Sequence, residues 1–256
     1  MTNYSYDKVK YPHYFFPEIK SLIDDELNQK ISKEIPENFE EKRKIGQSDD
    51  HICELIRKDL IDDFIKANCE LNSKINISIF ESNSFLLEKF SDFTKITLID
   101  YAAFFGSIKI FNYLYQSNVE IKPSLLIYSI HSNNLQLIHF LWQNIEFDPK
   151  KKKKNIFGEY ESQENIYEKS LRESIKCHHN NITNYIINNW NLENTSFQLV
   201  HYSIQFCNFA FFPKKFSQNN AFYFSVKYNY LNLIQLLLET GKINVNAKTV
   251  KKHFYL

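Results

Sequence analysis

Four stretches of the chain carry one pattern of apolar and polar positions: AAFFGSIKIFNYL (102 to 114), SIHSNNLQLIHFL (129 to 141), SIKCHHNNITNYI (174 to 186) and SVKYNYLNLIQLL (225 to 237). In each, a short apolar helix reaches a turn, and a second helix resumes with apolar residues at helical spacing. The second helices place Ile110, Phe111 and Leu114 on one face, matched by Leu137, Ile138 and Leu141 and by Leu233, Ile234 and Leu237. That is the i, i+1, i+4 spacing of a buried stripe.

The residue closing the first helix is the most informative one. A tight reversal puts it in the left-handed region, which glycine enters freely and which Asn and His tolerate better than most. With Ala102, Ser129, Ser174 and Ser225 aligned, the turn position holds Gly106, Asn133, His178 and Asn229. The aligned residues themselves are small, so that neighbouring helices can approach closely. Offsets between equivalent positions run from 27 residues upward, so insertions interrupt the array.

Stacked helical pairs of this kind bury a continuous core and present one long surface. The expected fold class is all-α: an α-solenoid of helix-turn-helix repeats over 48 to 256, with clear copies near 94 to 122, 123 to 149, 165 to 194 and 217 to 247. The second copy opens with Pro123 in its first turn. Residues 195 to 216 read as a short degenerate copy ending near Pro213. Stripes at Ile52, Leu55 and Ile56 and at Leu60, Ile61, Phe64 and Ile65 mark one or two degenerate pairs over 48 to 90.

Residues 1 to 47 do not fit the pattern and are expected to be an N-terminal helical cap with a linker. Tyr11, Tyr14, Phe15, Phe16 and Ile19 form an apolar face, and a helix is expected over about 17 to 34 with Leu22, Ile23, Leu27 and Ile31. Pro36 and Gly46 bracket EEKRK, which reads as the linker. The chain stops soon after its last clear copy, which suggests a truncated array or an end covered by a partner.

The turn and stripe residues resemble the ankyrin repeat. Its pattern of Thr-Pro-Leu-His, Ala-Ala, Gly, Ile-Val and Leu-Leu is best kept in Thr97, Ile99, Ala102, Ala103, Gly106, Ile110 and Leu114. It returns in Leu233, Ile234, Leu236, Leu237, Gly241 and the closing Asn244, Val245, Asn246 and Ala247. The Pro and His of the first motif are replaced by Leu98 and Asp100. The layout is similar to the divergent ankyrin families expanded in protists. The resemblance implies a non-catalytic interaction module, a scaffold or adaptor, that binds an unidentified protein partner through a concave face. Carried over, the contact positions are Phe104, Phe105, His131, Ser132, Lys176, Cys177, Lys227 and Tyr228. For Phe104 and Phe105, packing beneath a neighbouring copy is an equal alternative. Two other functions stay open: a truncated or relic family member with little present function, and a substrate receptor for a modifying enzyme.

Composition narrows the chemistry. Thirty-one Lys and Arg balance 30 Asp and Glu, which supplies no overall attraction for nucleic acid. No apolar run approaches the length of a membrane span, and the first residues lack a signal-peptide core. A cytoplasmic or nuclear location is expected. Four glycines exclude a phosphate-binding loop or dinucleotide fingerprint, and neither a nucleophile elbow nor a His-Glu-x-x-His helix is present. No catalytic residues, cofactor or small-molecule substrate are therefore expected. The pairs Asp49 with Asp50 and Asp62 with Asp63 read as helix-start charges.

Cys53, Cys69, Cys177 and Cys207 are scattered, as reduced thiols would be. Cys177, His178 and His179 are good zinc ligand types, but neighbours at a helix end point apart and His178 is already needed at the turn, so no metal is expected. Lys150 to Lys154 could be a nuclear-import or phosphate contact; with no aromatic platform beside it, a solvated insertion is the simpler reading.

Overall fold

A computed structural model describes residues 11–76, 78–91, 96–144, 153–154, 160–161, 163–189, 195–241 and 243–244. These are overwhelmingly α-helical, so the fold class is all-α. The helices are α1 (Tyr11–Tyr14), α2 (Phe16–Ile19), α3 (Asp25–Glu34), α4 (Phe39–Ile45), α5 (His51–Arg57), α6 (Ile61–Lys66), α7 (Ser84–Ser91), α8 (Leu98–Phe105), α9 (Ile108–Gln116), α10 (Leu125–His131) and α11 (Leu135–Asn144). After a two-residue antiparallel pair, β1 (Lys153–Lys154) with β2 (Tyr160–Glu161), come α12 (Gln163–Lys176), α13 (Asn180–Asn189), α14 (Thr195–Gln205), a 3-10 turn (Phe209–Phe211), α15 (Gln218–Lys227) and α16 (Leu231–Glu239). The chain divides into two compact units, 1 to 128 and 129 to 256, the division falling within α10.

All four expected turn residues have positive φ: Gly106 at 70°, Asn133 at 53°, His178 at 56° and Asn229 at 55°. Among the other residues with positive φ, Asp59 at 51° and Cys207 at 53° each close a helix followed within two residues by another helical segment. The hydrogen bonds repeat as well. The Gly106 N–H reaches the Ala103 carbonyl and the Ser107 N–H reaches Ala102. The same two bonds recur at Asp59 and Leu60, His178 and His179, Cys207 and Asn208, and Asn229 and Tyr230. This paired closure satisfies the last carbonyls of a helix. At Asn133 only the first bond forms, and the Asn134 N–H turns to the Ser132 hydroxyl.

Four residues before five of the six turns stand Ala102, Ser129, Ser174, Ser203 and Ser225, all fully buried; before Asp59 the position holds the buried but larger Leu55. Small side chains there keep helices close, and two of the serine hydroxyls bond back within their own helix, Ser174 Oγ to the Leu171 carbonyl and Ser225 Oγ to Ala221.

In the first unit, α8 is set by a reciprocal cap. Thr97 Oγ1 accepts from the Asp100 N–H while the Asp100 carboxylate accepts from the Thr97 N–H at 3.0 Å. The Asp100 that departs from the expected motif is therefore the second half of a capping box. Asp59, from the turn after α5, caps α9: its two carboxylate oxygens accept from the N–H groups of Lys109 and Ile110 at 3.1 and 3.0 Å. Ser107, which precedes α9, makes no side-chain cap bond; its hydroxyl donates to the Ile56 carbonyl. The core gathers Tyr101, Phe64, Phe80, Phe111, Ile56, Leu86, Ile110 and Leu114, each essentially without solvent contact.

The N-terminal segment departs from expectation in two places. EEKRK is helical rather than a linker: it lies in α4, anchored by buried Phe39, whose ring sits 5.6 Å from that of Phe80. Its charges are used, Arg43 on Glu18 and Lys42 on Asp49. The helix expected over 17 to 34 is broken between α2 and α3, where Asp24 accepts from the Leu27 N–H and restarts it. Of that stripe only Ile31 is buried; Leu22 is 81% exposed.

In the second unit, α12 pairs with α13, α14 with α15, and α15 with α16. Val200, Ile204, Ala221, Phe224 and Leu237 form one buried cluster. α10 begins two residues beyond Pro123 rather than at it. Lysines 150 to 152 and residues 245 to 256, including Val245, Asn246 and Ala247, lie outside the described residues. No described helix is long and apolar enough to cross a membrane.

Candidate functional site

The eight expected contact positions fall in different surroundings. Phe104 is 7% exposed, its ring stacked 5.9 Å from Phe85, so it is a core residue. Phe105 is half-buried against Tyr101, at 4.7 Å. Ser132 donates to the Ser129 carbonyl at 2.7 Å, closing its own turn. Lys227 is exposed, with Nζ 5.4 Å from the centre of the Tyr228 ring. The Tyr228 hydroxyl lies 2.7 Å from His201 Nε2.

Three of the eight converge. His131 ends α10, Lys176 ends α12, and Cys177 follows directly. Cys177 Sγ lies 3.6 Å from His131 Nδ1. On the other edge of the imidazole, Nε2 lies 3.3 Å from Oε1 of Glu173, which also takes a 2.8 Å bond from Lys176. Arg172 approaches the second oxygen of Glu173 at 3.7 Å. The Glu173 side chain is only 5% exposed. Burial alone would raise its pKa, but His131 and Lys176 outweigh that and hold it down at about 2. Burial, with the Glu173 charge beside it, pushes the Cys177 thiol up to about 11.

Glu173 escaped the reading of the sequence. The available signal was its place one helical turn before Cys177 and Lys176 on an otherwise small or apolar face of α12, where a carboxylate needs a partner. His178 and His179 do not join the cluster. The His178 ring lies 3.1 Å from the Phe206 carbonyl, and His179 Nδ1 donates to the Ile130 carbonyl at 2.8 Å.

That last bond belongs to a series. The residue after three of the turns reaches the carbonyl three residues before an earlier turn: Ser107 Oγ to Ile56, His179 Nδ1 to Ile130, and Asn208 Nδ2 to Ile175 at 3.0 Å. Within each unit, this bond fastens one helical pair to its predecessor.

Thiol, imidazole and carboxylate in a row are the order of a nucleophile, its base and an orienting acid. The surroundings argue against that chemistry. The cluster lies at the C-terminal ends of α10 and α12, where helix dipoles disfavour a thiolate or an oxyanion and favour cations. A shallow depression on α3, lined by Asp25, Asn28, Gln29, Ser32 and Lys33, gathers no buried side chain. No protein-family model and no curated protein matches the chain.

Proposed function

We propose that the chain is a non-catalytic protein-protein interaction module, an ankyrin-like array serving as a scaffold or adaptor. The observation that carries the reading is the recurrence of one turn geometry at Asp59, Gly106, Asn133, His178, Cys207 and Asn229, with apolar or small buried residues before it. A constant interior with changing residues just ahead of each turn is what a recognition surface built from repeats requires. Of the eight expected contact positions Lys227 is exposed, Phe104 is buried, and the other six, Phe105 among them, are half-buried.

Affinity would come from several such side chains held ready by the helices, so that little ordering cost attends binding. Exposed apolar side chains on α15 and α16 add to the case: Val226, Leu231 and Leu236 are 53%, 66% and 59% exposed. The test is capture from native cell extract with wild type, a Phe105→Ser variant and a Lys227→Glu variant, each first shown to unfold like wild type. A specific protein lost in either variant supports the reading. Capture that is empty, or the same for all three, contradicts it.

A further inference from the structure

We propose that His131, Glu173 and Cys177 form a binding site for a thiophilic divalent cation, with zinc the best fit. The inference is independent of the interaction reading and concerns the second unit alone. One ligand atom from each residue can be chosen so that all three lie within 4.8 Å of one another. Zinc bonds of about 2.3 Å to sulfur and about 2.0–2.1 Å to imidazole nitrogen, opened at a tetrahedral angle, set those donors about 3.6 Å apart. Cys177 Sγ and His131 Nδ1 are 3.6 Å apart.

The donors are held by rigid elements. Glu173 and Cys177 are four residues apart at the end of α12, so they share one helix face, and His131 is the last residue of α10. The two helix C-termini direct their negative dipole ends to this place, which favours a bound cation. Cations already gather there: Lys176 and Arg172 approach the two oxygens of Glu173.

Loading follows as an exchange. The cation displaces the thiol proton of Cys177, and the thiolate and His131 Nδ1 bind it. Glu173, which stands beside Nε2 in the metal-free structure, releases the Lys176 ammonium and turns its carboxylate to the Nδ1 side to become the third ligand, and water supplies the fourth. Lys176 is then a competitor for Glu173, and the proposal makes opposite demands on two neighbouring residues. Removing Glu173 weakens the site, whereas removing the Lys176 charge strengthens it. A purely structural ion pair predicts loss of stability from both changes and no response to metal.

The experiment titrates the full chain, kept reduced and freed of metal, with cobalt(II) as a spectroscopic probe and then with zinc. Wild type is expected to give a thiolate-to-cobalt charge-transfer band at one equivalent, bleached by zinc, and a zinc-dependent rise in Tm. Cys177→Ser removes the band, His131→Gln and Glu173→Gln weaken binding by about tenfold or more, and Lys176→Met tightens it. If His131→Gln fails to fold, Cys177→Ser and Lys176→Met still decide the matter. Absence of the band in wild type overturns the proposal. So does a band that survives Cys177→Ser, since Cys53, Cys69 or Cys207 would then be the ligand.

Discussion

The pairs α8–α9 and α15–α16 share one register and differ in how far their helices are covered. At the first, Ala102, Ala103, Ile110, Phe111 and Leu114 are fully buried. At the second, Leu233 and Ile234 are half-buried, Leu237 is 4% exposed, and Leu236 and Leu238 stand out by 59% and 46%. Both turns close with the same pair of backbone bonds. In the first unit α5 packs on α8 and α6 on α9, whereas in the second α14 covers α15. Turn geometry is thus a local property of each helix end, while burial depends on which elements lie alongside.

The largest effect should come from the interior of the covered pair. Phe111→Ala removes a ring with no solvent contact and is expected to cost about 3–5 kcal/mol in denaturant unfolding. Leu236→Ala in α16 should stay within about 0.5 kcal/mol. Equal losses would erase the contrast.

Acid should act next, and through the second unit. Burial, then the nearby Lys227 and Arg172 charges, lower the pKa of His201 from 6.5 to about 4; its ring also stacks 4.2 Å from Phe224. Below pH 6.5 the unfolded chain takes up a proton that the folded chain refuses until about pH 4. Stability is therefore lost progressively between those values and no further below them. The stability advantage of wild type over His201→Phe, followed across that window, should shrink by about 2 kcal/mol, the share of a shift this size left after partial solvent screening.

The Thr97 cap should be worth about 1 kcal/mol, measured by thermal or denaturant unfolding of Thr97→Ala. The smallest change is expected at Asn229. Asn229→Gly at φ 55° should be neutral or stabilising by a few tenths of a kcal/mol, while Gly106→Ala at φ 70° should cost about 1 kcal/mol.

The strongest parts of the pattern were legible in the sequence because they are local. Gly106, Asn133, His178 and Asn229 announced left-handed turns by residue type, and the stripes at Phe111 and Ile138 by spacing. The turns at Asp59 and Cys207 were missed. Cysteine is not a usual left-handed residue and carried no turn signal; Asp tolerates that region, but Leu55 rather than a small residue stands four positions before Asp59, so it did not align with the other copies. EEKRK looked like a linker because its charges hid the one anchoring residue, Phe39, just before them. The cluster at His131 joins residues more than 40 positions apart through packing of α10 and α12, which no local pattern encodes.

The central claim is that one register recurs, including where the pattern is weakest, over 195 to 216. Equilibrium unfolding of Ser107→Ala, His179→Ala and Asn208→Ala, side by side, tests it most directly. Each variant removes the side-chain donor that reaches a carbonyl three residues before an earlier turn. The account predicts a loss of about 1 kcal/mol for each, Asn208→Ala included. A silent Asn208→Ala beside two destabilising partners would contradict it.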